Sequence, residues 1–165
     1  NNHFSNSLLQ GKLVACAAEL HSSNTTFINN YTLGYTRMLF LVAASSENRA
    51  ISNLKITSNR AEITNAAIYL WLDEGTKIDG ILINDNSLVS NHIDGYTSLY
   101  NGTQGIIADS RNEKNTSIEN MEIINNKTVI KSTVIKGRAV NFATKYKFSN
   151  INNICVGCKD GEHYK

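Results

Sequence analysis

The chain has no proline, and only 18% of its 165 residues are charged, below the usual quarter of a soluble domain. Without proline, no position is barred from donating its backbone N–H to a strand ladder. Net charge is +2, with Lys and Arg scattered along the chain. No basic face therefore argues for nucleic acid or an anionic membrane, and neither is expected as a partner. The longest strongly apolar run, residues 39–44, is strand-sized and far short of the roughly 20 residues that span a bilayer. Three cysteines are too few, and odd in number, for a disulfide framework. Cys155-Val-Gly-Cys158, with His163 nearby, is at most half a zinc site, and a core or turn role is preferred. His3, His21, His92 and His163 show no metal spacing, and there is no phosphate-cradling glycine loop or nucleophile elbow. No metal and no cofactor are expected.

What fills the space left by charge is Asn, Ser and Thr, arranged in a repeat. Residues 51–59 read Ile-Ser-Asn-Leu-Lys-Ile-Thr-Ser-Asn, residues 78–86 Ile-Asp-Gly-Ile-Leu-Ile-Asn-Asp-Asn, and residues 118–126 Ile-Glu-Asn-Met-Glu-Ile-Ile-Asn-Asn. Weaker copies lie at 22–30 and 148–155. The third position holds Asn24, Asn53, Gly80, Asn120 and Asn150, at intervals of 29, 27, 40 and 30 residues. A period of this length points to a solenoid. Because Asn1-Asn2 falls in register with Asn29-Asn30 and Asn125-Asn126, the chain opens inside a repeat, as part of a longer solenoid would.

Alternation of apolar residues assigns faces. In one strand of each repeat the inward pairs are Thr25/Phe27, Leu54/Ile56, Ile81/Ile83, Met121/Ile123 and Ile151/Asn153. In the strand before it they are Val14/Cys16, Leu39/Leu41, Ile68/Leu70, Ile106/Ala108 and Val140/Phe142. Phe4, Leu33, Ile63, Leu88 and Val129 mark a third strand. The expected fold is all-β: a right-handed parallel β-helix of about five to six coils, three short strands per coil, forming one segment over residues 1–165. A loop insertion falls at about 87–104 and an irregular end at 156–165. Asn and Gly suit the third position because coiling a strand round a corner needs left-handed backbone angles, and stacked Asn residues can hydrogen-bond in a ladder.

The repeat pattern resembles the right-handed parallel β-helix superfamily of pectate lyases and phage tailspikes over nearly the whole chain. The Asn-Thr-Asp, Asp-Asp and His-Gly sets of the pectin-hydrolysing members are missing. The resemblance implies an extracellular or virion-associated protein, a bacterial surface polysaccharide (capsule or O-antigen) as partner, and a homotrimer. Hydrolysis would need one carboxylic acid to protonate the glycosidic oxygen and a second carboxylate to activate water or attack carbon. Alternatives are a non-catalytic adhesin or secreted passenger stalk, or a lyase using calcium with Arg111 or Arg138.

Two departures from the repeat carry the candidate residues. The insertion holds His92, Asp94, Tyr96 and Tyr100, whose rings and polar groups suit a sugar. The outward columns Ala15, Phe40, Tyr69, Ile107, Asn141 and Ala17, Val42, Trp71, Asp109, Ala143 are unusually apolar, so loops, neighbouring subunits or a glycan should cover them. Tyr69 and Trp71 are the candidate sugar platform. Asp73, Glu74 and Asp109 are the candidate catalytic carboxylates, with Asp73 and Asp109 expected on adjacent coils. A solvated turn is the bland reading of Asp73-Glu74-Gly-Thr.

Overall fold

The computed structural model describes residues 2–6, 16–43, 50–91, 104–110, 114–132, 137–142 and 145–158. Sixteen strands in these residues form three all-parallel sheets. The first sheet stacks β1 (His3–Ser5), β4 (Tyr31–Leu33), β7 (Arg60–Ile63), β10 (Ser87–Asn91), β13 (Lys127–Lys131) and β16 (Ile154–Val156). The second stacks β2 (Cys16–Leu20), β5 (Arg37–Ala43), β8 (Ala66–Leu72), β11 (Gln104–Ser110) and β14 (Arg138–Asn141). The third stacks β3 (Thr26–Ile28), β6 (Ala50–Thr57), β9 (Lys77–Asn84), β12 (Ser117–Ile124) and β15 (Phe148–Ile151). Each strand pairs with the strand three places on in sequence, so the chain winds one coil per three strands. This is a right-handed parallel β-helix, whose coils repeat at about 4.8 Å.

Period-two alternation fills the hollow. Leu39, Leu41, Leu54, Ile56, Ile68, Leu70, Ile81 and Ile83 are each at most 1% exposed and belong to one core cluster. Their columns run through the coils in register: Leu39, Ile68 and Ile106 on the second sheet, and Leu54, Ile81 and Met121 on the third. Met38 and Ala67 also point inward beside Leu39 and Ile68, because the second sheet begins at a corner rather than in a straight strand.

Two corners per coil use left-handed backbone. One column is Asn24, Asn53, Gly80 and Asn120, with φ of 57°, 57°, 69° and 49°. The other is Asn29, Ser58, Asp85, Asn125 and Asn152, with φ between 52° and 56°. The residue after each of these turns its side chain inward. Asn2, Asn30, Asn59, Asn86, Asn126 and Asn153 thereby form a continuous ladder: each carboxamide oxygen from Asn30 onward accepts both the backbone N–H and the Nδ2–H of the Asn one coil earlier, at 2.8–3.1 Å. The second Nδ2 hydrogen goes to a backbone carbonyl, that of Phe27 for Asn59, Ile56 for Asn86 and Ile83 for Asn126. Both donors and both lone pairs of an interior Asn are used, so a row of amides sits in the core with nothing unsatisfied.

Register differs from the sequence expectation at both ends. In the first coil Ala18 and Leu20, not Val14 and Cys16, align with Leu39 and Leu41. Cys16 is level with Arg37, at the corner. The apolar run around it admits two registers four residues apart, and parity cannot separate them; Val14 and Ala15 lie outside the described residues. Glu19, rather than Ala15, heads the Phe40 column. In the last coil Phe148 aligns with Met121 and Asn150 with Ile123. Left-handed backbone falls on Asn152 and not on Asn150, Asn153 joins the ladder, and Ile151 is 47% exposed. Here the Asn-Asn step, and not the weaker Phe-Ser-Asn copy, sets the phase. The first five residues of the expected 87–104 loop are strand β10; residues 92–103 lie outside the described residues. Cys155 and Cys158 form a disulfide across a turn, with Cα atoms 6.0 Å apart, in place of a half zinc site.

Candidate functional site

The second sheet's outer face carries the aromatic residues. β5 and β8 pair so that Phe40 is level with Tyr69 and Val42 with Trp71, and β11 continues these columns with Ile107 and Asp109. Phe40 meets Tyr69 edge-on with ring centroids 5.4 Å apart, and Tyr69 and Trp71 stack at 6.4 Å. The Arg37 guanidinium lies 4.3 Å from the Tyr69 centroid and 5.2 Å from that of Phe40, a cation–π arrangement worth most where water is excluded. Tyr69 is only 1% exposed: it is the floor of this face rather than a surface a sugar could reach. Trp71, like Phe40, is half-buried and stays in partial reach of solvent.

Trp71 is also oriented. Its Nε1–H donates to Asp73 Oδ1 at 3.1 Å. Asp73 is held in turn: its N–H donates to the Ala43 carbonyl at 3.0 Å, and its own carbonyl accepts the N–H and hydroxyl of Thr76 at 3.2 and 2.6 Å. Glu74 is exposed at the tip of this turn, and Gly75 follows with φ of 76°. Asp73 and Glu74 are thus turn residues, as their composition allows, and the same turn sets Asp73 against the indole. Asp109 pairs with Trp71, not Asp73. The two aspartates are therefore one coil and two residues apart, about 8 Å between backbone positions at ordinary strand spacings. His92, Asp94, Tyr96 and Tyr100 lie outside the described residues, as do Arg111 and Ala143. Arg138 donates from Nη1 to Asn141 Oδ1 at 3.1 Å.

Among the described residues, the pair of carboxylates that is level across coils is Asp79 and Glu119, on β9 and β12. The candidates come from the departures from the repeat and leave these two out, although the alignment of 78–86 with 118–126 already puts them at one repeat position. Lys77 lies between them, its Nζ 2.7 Å from Glu119 Oε2 and 3.6 Å from Asp79 Oδ2, and the hydrogen bond to Glu119 raises its pKa. Asn120 Nδ2 donates to Asp79 Oδ1 at 2.7 Å. Cys16 is half-buried, and burial pushes its thiol pKa up against the opposing pull of Arg37.

Among the described residues no group of three His, Cys, Asp or Glu is placed to hold a metal, and no helix is long and apolar enough to cross a membrane. No protein-family model matches this sequence, and no curated protein sequence matches it.

Proposed function

We propose that this chain is a polysaccharide-recognising segment of an extracellular or virion-associated β-helix of the pectate-lyase-like and phage tailspike type, with a bacterial capsule or O-antigen as its partner. The observation that carries the reading is Trp71: a half-buried indole fixed by Asp73 at the end of an outward aromatic row. A ring held in one orientation stacks on the C–H face of a pyranose without first losing rotamer freedom, while neighbouring polar groups take the hydroxyls. Exposed Glu74, next to Asp73 in the turn, is the polar group offered for that purpose. The Cys155–Cys158 disulfide supports an oxidising compartment. Phe40 and Val42, the half-buried apolar side chains of the outer columns, are the surface through which three copies would associate.

The test is a glycan array of bacterial surface polysaccharides probed with the full chain and with Trp71→Ala. Binding by the parent that falls about tenfold or more in the variant, the loss of roughly 1.4 kcal/mol, supports the reading. An array with no binding, or binding that ignores the variant, sinks it.

Hydrolysis is a second reading, favoured by the spacing of Asp73 and Asp109. The two backbone positions lie about 8 Å apart, within the range in which two aspartates can act on one glycosidic bond. New reducing ends from a bound glycan, lost in Asp73→Asn and in Asp109→Asn, would bear it out; an unchanged rate in both would exclude these residues.

A further inference from the structure

The corner column Asn24, Asn53, Gly80, Asn120 has a gap. Asn53 Nδ2 donates to Asn24 Oδ1 at 3.0 Å, and the residue one coil on should donate to Asn53 Oδ1 in the same way. Gly80 has no side chain to do so. An ideal Cβ built there would sit 3.4 Å from Asn53 Oδ1, so the gap opens beside that acceptor. On the far side Asn120 turns its Nδ2 away, to Asp79. The result is a notch of about 370 Å³ with Gly80 as its floor, Asn53 and Asn120 as its walls, and Lys55, Leu82 and Glu122 at the rim.

We propose that this notch is a binding subsite for one neutral pyranose ring, resting on the glycan reading above and extending it to a second face of the same coil. The chemistry selects the ligand. Asn53 Oδ1 and the Glu122 carboxylate ask for hydroxyl donors, the Lys55 ammonium asks for a hydroxyl acceptor, and Leu82 offers an apolar surface to ring C–H groups. A sugar, which gives and takes hydrogen bonds around an apolar C–H face, fits that set. The notch lies on β9, nine residues beyond Trp71 across the Asp73 turn, so one chain of sugars running round that corner would meet both.

The experiment titrates the isotope-labelled full chain with glucose, galactose, mannose and N-acetylglucosamine, following the Gly80 backbone amide, the Asn53 and Asn120 side-chain amides and the Trp71 indole by NMR. The expected result is a saturable shift of the Gly80 and Asn53 signals with at least one sugar, weakened about tenfold or more in Gly80→Asn. Asn already occupies this corner in the neighbouring coils, so the variant folds and completes the column while filling the notch. Asn53→Gly removes the open acceptor without altering the backbone demand, and should also weaken binding. Shifts at the Trp71 indole with none at Gly80 overturn the notch and leave the glycan reading standing. Shifts at Gly80 that persist unchanged in both variants overturn it as well.

Discussion

Replacing Asn86 by alanine tests the buried ladder most sharply. Asn86 is 1% exposed and makes four hydrogen bonds through its side chain. It accepts the N–H and Nδ2–H of Asn59 at 3.0 and 2.9 Å, and donates to Asn126 Oδ1 at 2.9 Å and the Ile56 carbonyl at 2.8 Å. Alanine leaves two donors of Asn59 stranded in a dry interior, at about 1–3 kcal/mol each. Asn126 Oδ1 keeps the backbone N–H of residue 86, so it loses less. The expected cost is about 4 kcal/mol, a large part of the 5–15 kcal/mol that typically holds a domain together. Asn2, exposed at the ladder's end, donates one side-chain bond, to Asn30, and Asn2→Ala should cost about 1 kcal/mol or less. Urea unfolding, followed by circular dichroism and Trp71 fluorescence, measures both. Equal midpoints for the two variants, or an Asn86→Ala loss under about 1 kcal/mol, would refute the reasoning. Asn86→Asp adds a pH arm. It keeps the acceptor but faces a carboxylate toward Asn126 Oδ1 and the Ile56 carbonyl, so burial should raise its folded pKa. Its charge penalty should be absent below the unfolded value of about 3.9 and grow as pH rises toward the folded one.

Gly34→Ala should destabilise by about 2 kcal/mol or more, because φ there is 78° and a Cβ would collide with the Asn6 carbonyl oxygen; Gly80→Ala, with a 3.4 Å clearance, should cost only about 1 kcal/mol in the same urea assay. Lys77 has a raised pKa, chiefly from its hydrogen bond to Glu119. The stabilisation it provides is therefore fully present below the ordinary lysine value of 10.5 and is lost as pH rises through the higher folded value. Midpoint differences between wild type and Lys77→Met should shrink over that interval, and a difference that grows there would contradict the pairing. Cys16, half-buried with its thiol pKa raised by burial, should react with iodoacetamide about tenfold more slowly in the folded chain than in urea; equal rates would place it at the surface.

The fold was legible because its strongest signals are local and repeated. Alternation in 54–56, 68–70 and 81–83 can only be buried one way, and three such segments at a near-constant interval impose a coil. The ends were misaligned where that redundancy fails: residues 13–20 offer two apolar registers of equal parity, and residues 148–154 contain three asparagines competing for one corner. The Asn-Asn step was visible, but its second member could not be assigned to the core from composition, since a buried Asn is acceptable only when partners one coil away satisfy it. The candidate site was less legible. Tyr69 and Trp71 are adjacent members of one outward face, yet Arg37 lies across Tyr69 from the neighbouring coil while Asp73, two residues on, orients Trp71. Asp79 and Glu119 hold the same place in the repeats 78–86 and 118–126, and what the sequence does not show is Lys77 lying between them.

The central claim, that successive coils are joined through their buried asparagines, is tested most directly by NMR of the side-chain amides. The ladder predicts that the Nδ2 protons of Asn30, Asn59 and Asn86 exchange slowly with water, with cross-peaks from Asn59 to Asn86 and from Asn86 to Asn126. Fast exchange of these protons, or cross-peaks only to sequence neighbours, would contradict it.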